Sequence, residues 1–128
     1  MKKIFTLTCT VLLVAFSAFR PVSGLDDVIA ALNGGNATEL AKYVDDNIEI
    51  ALPDKTNTYS RAQAVIILRD FFDNNGVRSF EVKHRGDQGN SQFCIGTLVT
   101  RSGSYRTTIY MTAKNGKQLV KEIRFQSA

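Results

Sequence analysis

Residues 91–125 read SQFCIGTLVTRSGSYRTTIYMTAKNGKQLVKEIRF, and this stretch decides the fold. Its apolar and polar side chains alternate with a period of two between turn signals, which is typical of β-strands. Asn115-Gly116 is the strongest turn signal, because a two-residue type I′ turn requires positive φ at both positions and these residues tolerate it. The alternation begins after Gly76. The pattern predicts an antiparallel meander of four strands, at about 77–85, 91–101, 104–114 and 117–126.

The first half of the chain predicts helices with one interruption. Ser60 and Gln63 form a capping box, and apolar residues follow at helical spacing, so the longest helix is expected to end at Asn74-Asn75-Gly76. Two shorter helices are expected before it, and the second is expected to end at the solvated Asp45-Asp46-Asn47. A strand lies between the second and the longest helix. The expected bounds are about 25–33 and 37–44 for the short helices and 48–52 for the strand.

The first 24 residues have the composition of a secretory signal peptide. Lys2 and Lys3 precede an apolar run over 4–19, and small residues lead up to Gly24. The run has 16 residues, fewer than the ~18 expected of a transmembrane span. We therefore expect cleavage near Gly24, a periplasmic or secreted protein without stable membrane insertion after cleavage, and a single domain over 25–128.

Cleavage changes the net charge of the protein. The leader holds three basic residues and no acidic one, so the formal charge falls from +4 to +1. A nearly neutral domain lacks the clustered positive charge of nucleic-acid binders, so no nucleic-acid partner is expected. Cys94 is the only cysteine of the mature chain, which excludes an internal disulfide. One histidine and one unpaired cysteine cannot supply a usual zinc site, so no metal and no cofactor are expected.

Two segments carry a resemblance to a known superfamily. The run VIAALNGGN over 28–36 resembles the first-helix signature of nuclear transport factor 2-like proteins, and YVDDNIEI over 43–50 resembles their exit from the second helix into the first strand. With the order of elements, the resemblance implies an α+β fold, in which three N-terminal helices pack on a curved antiparallel sheet to form a cone. The whole chain is also similar to a family of small exported Bacteroidetes proteins without an assigned function.

The same superfamily includes ketosteroid isomerase, whose chemistry requires a carboxylate base together with a tyrosine and a neutral aspartic acid as oxyanion donors. By the resemblance, the tyrosine position is Val28 and the first aspartate position is Leu52, just before Pro53. The second aspartate falls near Ile109, in a strand segment that contains no carboxylate. The resemblance therefore implies that the catalytic residues of the isomerase are absent, and we name no catalytic residue.

Strand alternation predicts which polar side chains face the interior of the cone. Cys94 is expected on the opposite face, where it would be a small strand residue rather than a nucleophile. An interior lined by one imidazole, one ammonium and hydroxyls could bind a small anion or polar ligand. Structural roles are the alternative, with the histidine at the rim and the lysine extending its ammonium to water. The expected inner set is His84, Thr97, Tyr105, Thr107 and Lys121.

The leading hypothesis is an exported, non-catalytic domain that binds a small molecule or a protein partner. The alternative is a lyase or isomerase that uses His84 as general base, with Tyr105 or Lys121 as electrophile. Arg106 and Tyr110 are expected on the outer face of the sheet. That face is interpreted either as the interface of a homodimer or as an ordinary soluble exterior.

Overall fold

The computed structural model describes residues 24–128, which form a curved, six-stranded sheet with helices against one face. Within these residues the elements are α1 (Gly24–Asn33), α2 (Ala37–Ala41), β1 (Val44–Leu52), β2 (Lys55–Ser60), α3 (Arg61–Asn75), β3 (Val77–Gln88), β4 (Ser91–Thr100), β5 (Gly103–Lys114) and β6 (Lys117–Ser127). The strand order across the sheet is β2-β1-β6-β5-β4-β3.

The predicted meander is confirmed, because β3 to β6 pair in chain order and antiparallel. Asn115 and Gly116 have φ values of 52° and 79°, as a type I′ turn requires. The prediction of a purely antiparallel sheet is wrong, because β1 runs parallel to its neighbour β6. A parallel pair requires a long connection, and here the connection contains β2, α3 and the first three strands of the meander. The sheet is therefore mixed.

The longest helix begins and ends as its sequence predicts. The Ser60 hydroxyl accepts a hydrogen bond from the Gln63 backbone N–H at 3.2 Å, and the Gln63 side chain accepts one from the Ser60 N–H at 3.1 Å. At the other end, Gly76 has a φ of 70° and its N–H donates to the Phe72 carbonyl at 2.8 Å. Local side-chain and backbone hydrogen bonds thus fix both ends of α3.

The second helix is shorter than predicted, and the expectation that it ends at Asp45-Asp46-Asn47 is wrong. α2 stops at Ala41, and β1 already begins at Val44. The Tyr43 carbonyl accepts a hydrogen bond from the Val120 N–H at 2.7 Å, so this segment joins the sheet instead of adding a helical turn. A contact with the last strand decides the conformation here, and helical spacing alone does not reveal it.

The centre of the cone is filled with aromatic side chains. The ring of Phe71 on α3 lies 4.6 Å from the ring of Phe125 and 5.2 Å from the ring of Tyr105, measured between centroids. Phe72 packs edge-on against Phe125 at 6.2 Å. These contacts join α3 to the inner face of β5 and β6. The rings therefore pack against one another between α3 and the sheet.

The two faces of β4 are the reverse of the prediction. Cys94 and Leu98 are fully buried on the inner face, whereas Phe93, Ile95 and Val99 are half-buried on the outer face. The expectation that Cys94 faces outward is therefore wrong. Both faces of this strand carry apolar side chains, so period-two alternation does not identify the buried one. Burial also raises the pKa of the Cys94 thiol, which keeps it protonated and unreactive.

Two glycines allow aromatic rings to lie flat against the β3–β4 pair. A Cβ added at Gly96 would lie 2.6 Å from the Phe80 ring on the inner face and 2.5 Å from the Glu81 carbonyl oxygen. A Cβ added at Gly86 would lie 2.1 Å from the Phe93 ring on the outer face. Neither position can accept a side chain without moving a ring or the backbone.

We predict that Gly96→Ala destabilises the domain by about 1–3 kcal/mol, because the added methyl group overpacks the Phe80 contact. Gly34→Ala is the matched control, because its Cβ would meet nothing closer than 3.7 Å. Urea denaturation followed by circular dichroism measures both variants. Equal stability of the Gly96→Ala variant and the parent would contradict the close packing of Phe80 on Gly96.

Candidate functional site

A buried carboxylate connects the start of β1 to the β5–β6 hairpin. The side chain of Asp45 is only 5% exposed, and it accepts hydrogen bonds from Lys114 Nζ at 3.0 Å and from Lys121 Nζ at 2.9 Å. The backbone N–H of Asp46 donates to the same carboxylate at 2.8 Å. Both lysine side chains are about half exposed, so their ammonium groups stay hydrated while the carboxylate is surrounded by donors.

These hydrogen bonds shift the pKa values of Asp45 and Lys114. They hold the pKa of Asp45 well below its usual range, with the Lys121 and Lys114 ammonium groups as the largest causes. The carboxylates of Asp45 and Asp46 in turn raise the pKa of Lys114. Asp45 and Lys114 therefore stay charged at neutral pH, and neither is poised for proton transfer.

Lys121 does not line the interior of the cone, which corrects the sequence-based expectation. The register between β5 and β6 shifts between Tyr110 and Met111, which leaves Lys121 as an unpaired extra residue in β6. Val120 and Ile123 are both fully buried on either side of this bulge. Strict alternation does not anticipate the bulge, and it therefore assigns Lys121 to the wrong face.

His84 and Thr97 lie on the outer face of the sheet, so the expectation that they face inward is also wrong. A register shift between Val82 and His84 turns the second half of β3, and His84 then pairs with the outward-facing Ile95. Thr97 lies on β4, for which the prediction exchanged the inner and outer faces, and it pairs with Glu81. The His84 ring lies 5.5 Å from the Phe93 ring.

Tyr105 and Thr107 face the interior as expected, and both hydroxyls are hydrogen-bonded within the protein. Tyr105 Oη donates to Asn75 Oδ1 at 2.7 Å, and the Asn75 amide donates to the Phe71 carbonyl at 2.8 Å. Thr107 is fully buried and its hydroxyl donates to the Tyr105 carbonyl at 3.2 Å. The five predicted site residues therefore lie in three places and do not surround one cavity.

Two clefts open at the surface of residues 24–128. One, of about 320 Å³, lies between α3 and the β1–β2 turn, where Leu52, Phe71 and Asn75 contribute to its wall. Another, of about 630 Å³, is an open groove between α2 and the start of α3, with Lys42 and Arg61 on its rim. Both cations are already paired, with Glu39 and Asp46 respectively.

The outer face of the sheet carries a row of rings across β3, β4 and β5, formed by His84, Phe93 and Tyr110. Phe93 pairs directly with Tyr110 on the next strand, and the Tyr110 hydroxyl is hydrogen-bonded to the Ser91 hydroxyl at 3.1 Å. Tyr110 is 41% exposed, and Ile95 lies beside the row. The sequence-based prediction placed Tyr110 here and missed Phe93 and Ile95, although the apolar residues on both faces of β4 are a signal that could have revealed them.

Charges of both signs surround this aromatic row. Arg106 pairs with Thr97, and Arg124 pairs with Thr108, so both arginines border the row on the outer face. The Arg124 side chain is bonded to Glu122, which pairs with Tyr110, and its guanidinium lies 3.9 Å from the Glu49 carboxylate. The face is therefore apolar in the middle and mixed in charge at its border.

Residues 24–128 hold neither a metal-binding cluster nor a membrane-spanning helix. Within residues 24–128, no three His, Cys, Asp or Glu side chains form a group that could hold a metal ion. No helix in this range has both the length and the apolar character needed to cross a membrane.

Comparison with known proteins identifies the family. The model of the domain of unknown function DUF4783 matches residues 25–126 of this chain. The chain belongs to the DUF4783 family. No curated protein matches it.

Solved structures of DUF4783 proteins are similar to this one over most of its length. The protein from Bacteroides uniformis is 31% identical, with a TM-score of 0.78, over 80% of this chain and 95% of that chain. The protein from Bacteroides fragilis is 30% identical, with a TM-score of 0.76, over 86% of this chain and all of that chain. An NTF2-like protein of unknown function from Cytophaga hutchinsonii is 12% identical, with a TM-score of 0.61, over 85% and 93% of the two chains. The nuclear transport factor 2-like fold that the resemblance implies is confirmed.

The positions that the resemblance assigns to isomerase catalytic residues are apolar in this DUF4783 protein. Val28 and Ile109 are fully buried in the core, and Leu52 is half-buried at the end of β1. The nearest buried carboxylate in β1 is Asp45, whose oxygens accept hydrogen bonds from the two lysines and the Asp46 N–H. Nothing in this arrangement offers a free carboxylate base to the interior of the cone.

We predict that Asp45→Asn destabilises the domain by about 1–3 kcal/mol at pH 7, less than a fully buried ion pair because both lysines are half exposed. The folded pKa of Asp45 is lowered, so its contribution is complete above the unfolded pKa near 4 and is lost as the pH falls below it. The difference between the parent and the variant should therefore shrink from pH 7 to pH 3. Urea denaturation at both pH values measures it.

Asp46→Asn is the matched control for this experiment. Asp46 is the adjacent carboxylate, is 71% exposed and also approaches Lys114, at 3.4 Å. Because an exposed ion pair contributes little, its substitution should change the free energy of unfolding by less than about 0.5 kcal/mol. An equal loss of stability in both variants would contradict a special role for Asp45.

Proposed function

We propose that this DUF4783 protein is an exported, non-catalytic binding domain that engages a protein partner through the outer face of its sheet. The single observation that carries the proposal is the row of His84, Phe93 and Tyr110, which the helices leave uncovered. The helices pack on the other face, so the row is free for a partner.

The packing inside the cone favours a protein partner on the outer face over a small-molecule ligand in the interior. Its centre is occupied by the contact between the Phe71, Phe125 and Tyr105 rings. The two hydroxyls that face inward, from Tyr105 and Thr107, already donate hydrogen bonds within the protein. A ligand would have to displace packed rings and break these bonds, whereas a partner on the outer face would displace only water.

The composition of the outer face suits a protein interface. Interfaces are enriched in aromatic residues and arginine, and their borders are polar. Phe93 and Tyr110 form the apolar middle, and Arg106 and Arg124 lie at the border. A contact centred on Tyr110 would bury a ring that is now 41% exposed while its hydroxyl keeps a polar partner.

The partner that the charges favour is a second copy of this chain. The face carries Glu49, Glu81 and Glu122 as well as Arg106 and Arg124. In a two-fold interface each residue meets the symmetry-related surface, so a face that carries both signs can be complementary to itself. A nucleic acid or an anionic membrane surface would instead favour positive charge alone.

An enzyme that uses His84 as general base is the alternative hypothesis. Such a base must reach the substrate together with an electrophile such as Tyr105 or Lys121. His84 is on the outer face and Tyr105 is on the inner face, while the Lys121 ammonium is bonded to Asp45. The separation of these groups supports binding over catalysis.

We predict that the protein without its leader forms a dimer and that Tyr110→Asp weakens dimerisation at least about tenfold, a change of ~1.4 kcal/mol in association free energy. The substitution places a carboxylate in the apolar middle of the face and removes the ring. Ile66→Asp is the matched control, because Ile66 is an exposed apolar residue of α3, 54% exposed, far from the outer face. Sedimentation velocity over a range of concentrations measures all three proteins.

At about millimolar protein concentration, the experiment detects any dimer with an association free energy of ~4 kcal/mol or more. A parent protein that is still monomeric at that concentration would overturn the proposed partner. Dimers that the Ile66→Asp variant disrupts and the Tyr110→Asp variant does not would overturn the proposed surface. Thermal melts of both variants exclude unfolding as the cause of a lost dimer.

A further inference from the structure

Two buried side-chain oxygens, one on β4 and one on β6, accept no hydrogen bond within residues 24–128. They are Gln92 Oε1 and Gln118 Oε1. The Gln118 amide nitrogen donates to the Asn90 carbonyl at 3.2 Å, so exchanging the oxygen and nitrogen of this amide would lose a bond without satisfying the oxygen. A buried acceptor without a donor lowers the stability of a protein, and such groups require an explanation.

Both glutamines belong to the part of the sheet on which α1 begins. Gln92 pairs with Met111, and a Cβ added at Gly24 would lie 3.3 Å from the end of the Met111 side chain. It would also lie 3.2 Å from the Gln118 backbone carbonyl and 3.4 Å from the Gln118 Cβ. Gly24 is therefore packed against Met111 and Gln118, and the Gln118 backbone carbonyl lies close to the first turn of α1.

The two unsatisfied glutamine oxygens require a group that donates hydrogen bonds and does not need to accept any. A primary ammonium has three donors and no acceptor, which matches a spot lined by carbonyl oxygens. We propose that the α-ammonium of Leu25, created when the leader is cleaved after Gly24, binds the carbonyl oxygens of Gln92 and Gln118. This inference rests on the proposed export of the chain, because cleavage after Gly24 creates the ammonium.

The first turn of α1 is built to hold the new chain end in place. The Leu25 side chain is 1% exposed in the core, so the backbone nitrogen of this residue has a fixed position. An ammonium at the N-terminus of a helix is opposed by the helix dipole, and the carboxylates of Asp26 and Asp27 in the same turn offset its charge. Removal of Gly24 also vacates the space between Met111 and Gln118, next to the nitrogen of Leu25.

Maturation therefore adds a stabilising contact that the precursor lacks. Before cleavage the nitrogen of Leu25 belongs to a peptide bond and carries a single N–H. After cleavage it carries three donors and a positive charge, and hydrogen bonds to a charged group are stronger than bonds between neutral groups. The domain is expected to reach its full stability only when Leu25 is the first residue.

The test compares a protein that begins at Leu25 with one that begins at Ser23, each prepared by cleaving a removable tag without leaving extra residues. The Leu25 protein should have the higher Tm. At pH 7 its α-amine should react with an N-hydroxysuccinimide ester at least about tenfold more slowly than the α-amine of the Ser23 protein, as expected for one pKa unit of extra stabilisation of the ammonium. Mass spectrometry of the N-terminal peptide measures the reaction.

Variants of Gln118 separate this contact from ordinary packing. Gln118→Leu should lower the Tm of the Leu25 protein more than that of the Ser23 protein, because it removes the acceptor. Gln118→Glu should raise the Tm of the Leu25 protein and lower that of the Ser23 protein, which has no ammonium at this spot to pair with a buried carboxylate. Gln126→Leu, at an exposed position of β6, is the matched control.

Equal Tm values and equal amine reactivity of the Leu25 and Ser23 proteins would overturn the proposal. So would Gln118→Glu effects of the same sign and size in both proteins. If the Gln118→Leu variant does not fold, two measurements still test the proposal. They are the effect of Gln118→Glu in the Leu25 and Ser23 proteins, and the amine reactivity of those two proteins without a substitution. The amine reactivity and the Gln118 variants do not involve the outer face, so a monomeric Leu25 protein with a protected amine would overturn only the proposed partner.

Discussion

The fold depends on the attachment of β1 to the β5–β6 hairpin, and the carboxylate of Asp45 reinforces that attachment where the pairing of β1 with β6 is irregular. It holds Lys114 from β5 and Lys121 from β6 at the point where β1 enters the sheet. β1 in turn carries β2 along one edge, and α3 packs against both strands. Two irregularities, in β1 after Val44 and in β6 at Lys121, meet at this carboxylate. An ion pair therefore fixes a place where the regular ladder of backbone hydrogen bonds is interrupted.

The features that could be predicted from the sequence are those encoded by close neighbours along the chain. The capping box of Ser60 and Gln63, the left-handed Gly76 and the Asn115-Gly116 turn each depend on residues within four positions of one another. The four strands of the meander follow from the same local patterns. The resemblance to the superfamily supplied the overall arrangement, including the position of the helices against the sheet.

The candidate site was predicted less well, because its geometry depends on distant contacts. Bulges in β3 and β6 moved His84 and Lys121 out of the interior, and a bulge is defined by the partner strand rather than by the bulged residues. Tyr105 and Thr107 were placed correctly, because no bulge separates them from the turn that begins β5. Asp45 was expected in a solvated helix end, since neither of its lysine partners lies near it in sequence.

The parallel pairing of β1 with β6 also constrains when the domain can finish folding. Asp45 and Lys121 are 76 residues apart, so the loop that their contact closes includes most of the domain. Contacts of such long range slow folding, because the chain loses entropy before they form. During synthesis β1 cannot pair with β6 until the C-terminal residues have been made, so the sheet stays incomplete until then. A translocation channel that requires an unfolded chain would therefore meet little resistance from early folding of this one.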